Sequence, residues 1–252
     1  MVYFMDLFFA AAAFILGTVI GSYLNVCIYR IPLGISTAEG RSHCTDCGNT
    51  IAWYDLVPIL SYILLRGKCR ACKAKISPRY MTVELLTGVC FLLAFIVFGL
   101  SLRTPLTFVV LACLITAGFI DAEHKLLPDR FAVIIFAMGI INVFVSGEGY
   151  LSHIIGLFAV SVPFFLIALL TGGMGGGDVK LMAAAGLFLG WKNAVLAVII
   201  GSVVGAAVAV VLLAKKKAGR KSEIPFGPFL ALGCGAAALF GSGIIEWYLN
   251  LF

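Results

Sequence analysis

Apolar runs that approach the thickness of a lipid bilayer recur along this chain, and nothing constrains its fold more. Eight can be marked: Leu7–Ile28, Met81–Leu100, Pro105–Ile120, Phe131–Val145, Ile154–Leu170, Val179–Gly190, Ala194–Ala214 and Phe226–Leu249. A helix needs about 20 apolar residues to cross bilayer hydrocarbon. Several runs are shorter, those at Pro105, Phe131 and Val179 among them, and short spans with Gly-rich or charged ends tend to line a cavity rather than face lipid. With 62% hydrophobic and 12% charged residues, the chain is far from a soluble domain, which is about half apolar and a quarter charged. The expected fold is all-α, a polytopic membrane helix bundle of about eight spans. Only Asp6 is charged before Arg30, so the basic start of a cleavable signal peptide is missing and residues 1–28 read as a retained first span.

The basic residues orient this bundle. With the amino terminus outside, the segments 29–80, 121–130, 171–180 and 214–225 all lie inside, and they hold sixteen of the eighteen Lys and Arg residues. Only Arg103 and Lys192 fall outside. The positive-inside rule therefore places segment 29–80 in the cytoplasm. The net charge of +6 follows from topology and calls for no nucleic-acid partner. The run Lys215–Lys217 with Arg220 and Lys221 is suited to anionic membrane lipid.

Segment 29–80 is the one sizeable insertion between spans, and it holds four of the eight cysteines as two CxxC pairs, Cys44/Cys47 and Cys69/Cys72, 21 residues apart. Each CxxC turn offers two thiolates to one ion, and two turns complete the tetrahedron zinc prefers, at the edge of the spacing used by four-thiolate sites. Gly48 and Gly67 flank the pairs. Two disulfides or a redox pair are the competing readings, and a cytoplasmic loop disfavours disulfides. A metal also explains how a loop too short for its own core is ordered. Cys27, Cys90, Cys113 and Cys234 lie singly in apolar runs and read as small buried hydrophobes. His43 reads as a solvated neighbour of Cys44.

Two carboxylates stand at the inner ends of their spans. Gly172-Gly-Met-Gly-Gly-Gly-Asp178 leads into the apolar run from Val179, and Asp121 ends the run from Pro105. Asp178 is expected at a helix start, where exposed N–H groups and the helix dipole favour a carboxylate. A flexible loop with an Asp cap is the plain reading of the first motif alone. A second aspartate at the same depth changes that: two carboxylates in a low-dielectric pocket do not both ionise easily, so one acts as base toward water and the other as acid toward a leaving amine. Asp129, after Pro128, reads as a helix cap. Glu123, His124 and Lys125 read as solvated, and His153 is expected on the opposite side.

Taken in order, these residues resemble the bacterial type IV prepilin peptidases, the prepilin leader peptidase/N-methyltransferases of the GxGD aspartyl protease class. The resemblance covers nearly the whole chain. It runs from Gly21–Pro32 through Arg41–Gly48, Trp53–Pro58, Arg66–Lys73, Ser77–Tyr80 and Glu84. It continues through Asp121, Leu127–Asp129, Met174–Leu181 and Ile224–Phe229. Thr45-Asp46 stands where the family often has a proline, a departure that leaves thiolate geometry untouched. The resemblance implies an inner-membrane enzyme of type IV pilus or type II secretion systems. Its activity is to cut the leader of prepilins and pseudopilins at the cytoplasmic face and to methylate the new amino terminus with S-adenosylmethionine. Asp121 and Asp178 would be the catalytic pair, Cys44, Cys47, Cys69 and Cys72 the zinc ligands, residues 29–80 the methylation-associated loop and residues 81–252 the peptidase bundle. No Gly-rich dinucleotide-type signature marks a methyl-donor site. Two other readings stand beside it. One is a peptidase that does not methylate, against which the full 29–80 loop speaks. The other is a transporter or zinc sensor with a broken Gly-rich helix, against which speak the missing inverted repeat and the two carboxylates at one face.

Overall fold

The computed structural model describes residues 2–147, 149–215 and 224–251. Lys216, Lys217, Arg220 and Lys221 of the basic run lie outside the described residues. The chain divides into two compact units, Met1–Leu100 and Ser101–Phe252.

In the first unit, helix α1 (Val2–Arg30) leads into the cysteine loop, which carries a 3-10 turn at Trp53–Leu56 and a short helix α2 (Leu60–Leu64), before α3 (Arg79–Phe98). Helices α1 and α3 run antiparallel along each other. A Cβ on Gly17 would sit 2.8 Å from Gly88 Cα, and one on Gly21 would sit 2.8 Å from Glu84 Cα. One turn further, Asn25 Nδ2 donates to Tyr80 O at 3.0 Å. Small residues at a membrane helix crossing let backbones approach, where lipid gives no hydrophobic push.

The second unit is α4 (Arg103–His124), α5 (Asp129–Val145), α6 (Tyr150–Ala159), α7 (Ser161–Thr171), α8 (Gly176–Leu189), α9 (Trp191–Ala214) and α10 (Gly227–Leu249). All eight apolar runs are thus helical. Among the described residues, six helical stretches are long and apolar enough to cross a membrane: Met5–Arg30, Arg79–Phe98, Arg103–His124, Tyr150–Thr171, Trp191–Ala214 and Gly227–Leu249. The run at Pro105 gains length because Pro105 lies in the first turn of α4, where its missing N–H breaks no helical bond. Helices α6 and α7 form one stretch interrupted at Val160, because Pro163 has no N–H to give to the carbonyl of Ala159 four residues back.

Helix α5 has 17 residues and α8 only 14. The shortness of α8, about 21 Å at 1.5 Å per residue, fits its position. Leu181, Met182, Ala184, Ala185, Leu187, Phe188 and Leu189 are all buried, and α5, α6, α7, α9 and α10 pack around it. Gly186 faces Gly156 of α6 so closely that a Cβ on either would strike the other's carbonyl.

The end carbonyls of such an enclosed helix have no water to bond. Side chains from three neighbours take that place. Asn142 Nδ2 donates to Phe188 O at 2.8 Å, His153 Nδ1 lies 2.9 Å from Leu187 O and Asn193 Nδ2 donates to Leu189 O at 3.2 Å. Because a carbonyl only accepts, His153 carries its proton on Nδ1, and Nε2 accepts from the Ser146 hydroxyl at 2.9 Å. Replacing Asn142 by leucine strands the Phe188 carbonyl, at a cost of about 1–3 kcal/mol. Thermal unfolding in detergent should show a clearly lowered midpoint for Asn142→Leu, and a larger loss for Gly186→Val, which forces α6 off α8.

Candidate active site and metal centre

The two CxxC pairs sit in two copies of one small turn. In the first, Cys44 N–H bonds Asn49 O (2.9 Å), Gly48 N–H bonds Cys44 O (2.9 Å) and His43 pairs with Thr50. In the second, Cys69 N–H bonds Ala74 O (2.8 Å), Lys73 N–H bonds Cys69 O (3.0 Å) and Lys68 pairs with Lys75. The position closing each turn needs left-handed backbone. Gly48 takes it at φ 71°, and Lys73 takes it at φ 61°, where a side chain is normally disfavoured. This duplication is invisible in the sequence because a glycine in one copy answers to a lysine in the other.

The four sulfurs all lie within 4.8 Å of one another, and Cys44 Sγ is 3.9 Å from Cys72 Sγ. A tetrahedron of sulfurs about 2.3 Å from zinc has edges of about 3.8 Å, so the set fits the ion. Backbone N–H groups of Cys72 and Ala71 bond the Cys69 sulfur and bring its thiol down to about 7, which readies one ligand as thiolate. His43 is exposed and stands apart from this set, its Nδ1 3.3 Å from Arg41 O. Arg70, inside the second CxxC, forks onto Asp55 with Nε–Oδ2 at 2.8 Å and Nη2–Oδ1 at 2.7 Å. It also lies over the Tyr54 ring. That bidentate bond holds the Asp55 carboxyl below the usual range and ties the second turn to the Trp53–Leu56 segment.

The second unit gathers the aspartates. Asp121 lies in the last turn of α4, which ends when Lys125 turns left-handed and bonds its N–H to Asp121 O at 2.8 Å. Asp178 lies in the first turn of α8, two residues inside Gly176. Sequence reading put Asp178 at the helix start, and in the structure Gly175 caps the helix while the Asp178 N–H bonds Gly175 O at 3.1 Å. The carboxylates are 7% and 8% exposed and near enough for the charge of Asp121 to act on Asp178. Asp178 Oδ1 is buried without a hydrogen-bond partner. Such an oxygen is costly unless something completes it. Beside it Gly172, Gly173, Gly175 and Gly176 are exposed, leaving a strip of bare backbone next to a buried carboxylate.

Two glycines make this arrangement possible. Gly227, at the start of α10, donates its N–H to Asp121 Oδ2 at 3.0 Å, and a Cβ there would lie 2.6 Å from that oxygen. Gly177 accepts Leu127 against it, where a Cβ would come 2.7 Å from Leu127 Cβ. Sequence reasoning gave Gly227 no role; its signal was a Gly-Pro pair opening an apolar run. Asp129 differs from its reading as a cap. Pro128 occupies the cap position with no side-chain bond, and Asp129 instead pairs with Lys180 of α8 at 2.7 Å, both side chains exposed. His153, tied to the last turn of α8, lies at the opposite end of that helix from Asp178.

The comparisons agree with this division of the chain. A family described as the bacterial peptidase A24 N-terminal domain matches residues 15–98, and the type IV leader peptidase family matches residues 108–210. The chain is similar to the prepilin leader peptidase/N-methyltransferase of Stutzerimonas stutzeri, 34% identical over 96% of this chain and 94% of the relative. It is 33% identical to the protein of that name from Aeromonas hydrophila, over 95% and 93%. The one from Pseudomonas aeruginosa is also 33% identical, over 96% and 94%. No solved structure matches. With relatives aligned over almost its whole length and both halves recognised in order, this multi-pass membrane protein belongs to the type IV leader peptidase family.

Proposed function

We propose that this protein removes the leader of prepilins and pseudopilins and then N-methylates the amino terminus it has made. The observation that carries the peptidase reading is the pair of buried carboxylates, Asp121 and Asp178, next to an exposed glycine backbone in the second unit. Asp178, with an unbonded oxygen and a helix amino end behind it, is suited to accept a proton from water as the water oxygen attacks the scissile carbonyl. Asp121 gives a proton to the departing amide nitrogen, and the Gly227 N–H orients its carboxyl. The pair shares its titration, so the two roles belong to the dyad as a whole. The glycine strip gives an extended substrate segment backbone to lie along.

The methylation reading rests on the names of the relatives and on the presence of the 29–80 loop. S-adenosylmethionine supplies an electrophilic methyl group. Zinc held by Cys44, Cys47, Cys69 and Cys72 would join the two CxxC turns and order the loop. The charge distribution supports an orientation with this loop and both aspartates at the cytoplasmic face.

Three outcomes follow. Reporter fusions after Arg70 should read as cytoplasmic and fusions at Gly149 as external; the reverse result removes the orientation. Metal analysis of purified protein should find about one zinc per chain, lost in Cys44→Ser and Cys72→Ser, with methylation falling before cleavage. Finding the four thiols joined as disulfides rejects the site. Asp121→Asn and Asp178→Asn should each slow cleavage of a prepilin in membranes by about 100-fold or more while zinc content is kept. Asp129→Asn removes only an exposed ion pair, worth at most about 1 kcal/mol, and should cut nearly as well as the parent. Normal cleavage by both dyad variants would falsify the aspartyl mechanism.

A further inference from the structure

The first unit holds a half-open cavity of about 600 Å³ between the cysteine loop and the adjoining ends of α1 and α3. This size suits a small-molecule or terminal-residue site. Its lining includes Asn25, Tyr29, Tyr54, Tyr62, Tyr80 and Glu84. Two of these, Asn25 and Glu84, are polar and almost fully buried. Glu84 is 7% exposed, and its partners are neutral donors: the Ile59 N–H at 2.8 Å and the Ser22 hydroxyl. Four cations line the cavity: Arg30 bonds the carbonyls of Ser36 and Glu39, Arg70 bonds Asp55, the Arg79 guanidinium lies over the Tyr80 ring and Lys75 is exposed, and the hydrogen bonds to Glu84 come from none of them. Asn25 is 1% exposed; its Nδ2 is used by Gly21 O and Tyr80 O, and its Oδ1 has no partner. A buried carboxylate without a cation and a buried amide oxygen without a donor are both costly. Both lack the same thing, a positively charged hydrogen-bond donor.

The backbone around Glu84 is also under tension. Ile59, the residue whose N–H bonds Glu84, has φ 63° and ψ −53°. A β-branched residue is a genuine outlier there. Such conformations persist where their surroundings hold them. Here the loop is held against Glu84 in a geometry its own sequence resists.

We propose that this cavity is the methyl-transfer chamber and that Glu84, assisted by Asn25 Oδ1, receives the terminal ammonium of the cleaved pilin. The inference rests on the N-methyltransferase reading above. Glu84 first binds the ammonium as its missing cation and then accepts one of its protons. The freed lone pair on nitrogen forms the N–C bond to the sulfonium methyl as the C–S bond breaks. That bonding pair remains on sulfur, leaving a neutral thioether and a secondary ammonium. The tyrosine rings of the lining are apt surfaces for a cation.

Glu84→Gln tests this directly, because Gln keeps an oxygen to accept the Ile59 N–H and removes only the charge. The readouts are mass spectrometry of the mature pilin terminus, zinc content, and the kinetics of methylating a synthetic peptide with the mature amino terminus. The expected result is cleavage and zinc as in the parent, methylation down by about 100-fold or more, and a raised KM for the peptide with that for S-adenosylmethionine unchanged. If Glu84→Gln methylates at the parental rate, or if only the KM for S-adenosylmethionine rises, the assignment of Glu84 to the amine is overturned. If zinc is lost from Glu84→Gln, Asn25→Ser, which leaves the Ile59 bond intact, carries the test: parental peptide methylation by it overturns the chamber. A parent protein that cleaves but never methylates rejects the underlying reading instead, and is distinguished by that control.

Discussion

Helix α8 is too short to cross a bilayer and almost wholly buried, so the second unit is organised around enclosing it. In lipid each unpaired backbone group costs several kcal/mol, and a 14-residue helix packed on most sides by its neighbours must find partners for the groups at its ends. The two ends are treated oppositely. At the carboxyl end Asn142, His153 and Asn193, from three helices, bind the carbonyls of Phe188, Leu187 and Leu189. At the amino end no side chain caps the helix, and Asp178 is left with an unbonded carboxylate oxygen. One end of the helix is therefore secured by polar contacts, and the other presents a buried carboxylate whose Oδ1 no hydrogen bond completes.

Much of this could be read from the chain because the decisive patterns are local. Apolar runs mark helices wherever their surroundings are uniformly apolar, and all eight appear. The CxxC spacing needs only two turns and one ion to be interpreted, and the four sulfurs do converge. The Gly-Gly-Gly-Asp sequence was legible as a helix start because glycine and aspartate act on their own backbone. Helix ends were less legible: α4 begins two residues before Pro105 because proline at a first turn is compatible with the helix it seems to interrupt.

What escaped the sequence was pairing across long separations. Asp129 looks like a cap because Pro-Asp so often is one, yet its carboxylate finds Lys180, 51 residues away. Gly227 stands in a Gly-Pro pair that marks only the opening of an apolar run, and its importance lies in the oxygen of Asp121, 106 residues away, which leaves no room for a Cβ. The kinship of α3 with α1 depends on Gly17 and Gly21 meeting Gly88 and Glu84, contacts that hydrophobic periodicity does not encode. The likeness of the two cysteine turns was hidden by Lys73 adopting backbone angles expected of glycine.

A common device emerges from Asp121 and Glu84, which belong to separate units. Each is a buried carboxylate on a helix, and each accepts a backbone N–H from a residue whose own position is demanding. Gly227 tolerates no side chain, and Ile59 adopts a positive φ. A backbone donor fixes the orientation of a carboxylate without supplying the full positive charge of a lysine or arginine. A guanidinium in the same place would pair with the carboxylate and reduce its ability to take up a proton. The neutral N–H holds one oxygen while leaving the group basic and available to an incoming partner. Among apolar helices, where charge is costly, this weak but directional restraint fixes a carboxylate without closing it into an ion pair, as the amides of Gly227 and Ile59 do for Asp121 and Glu84.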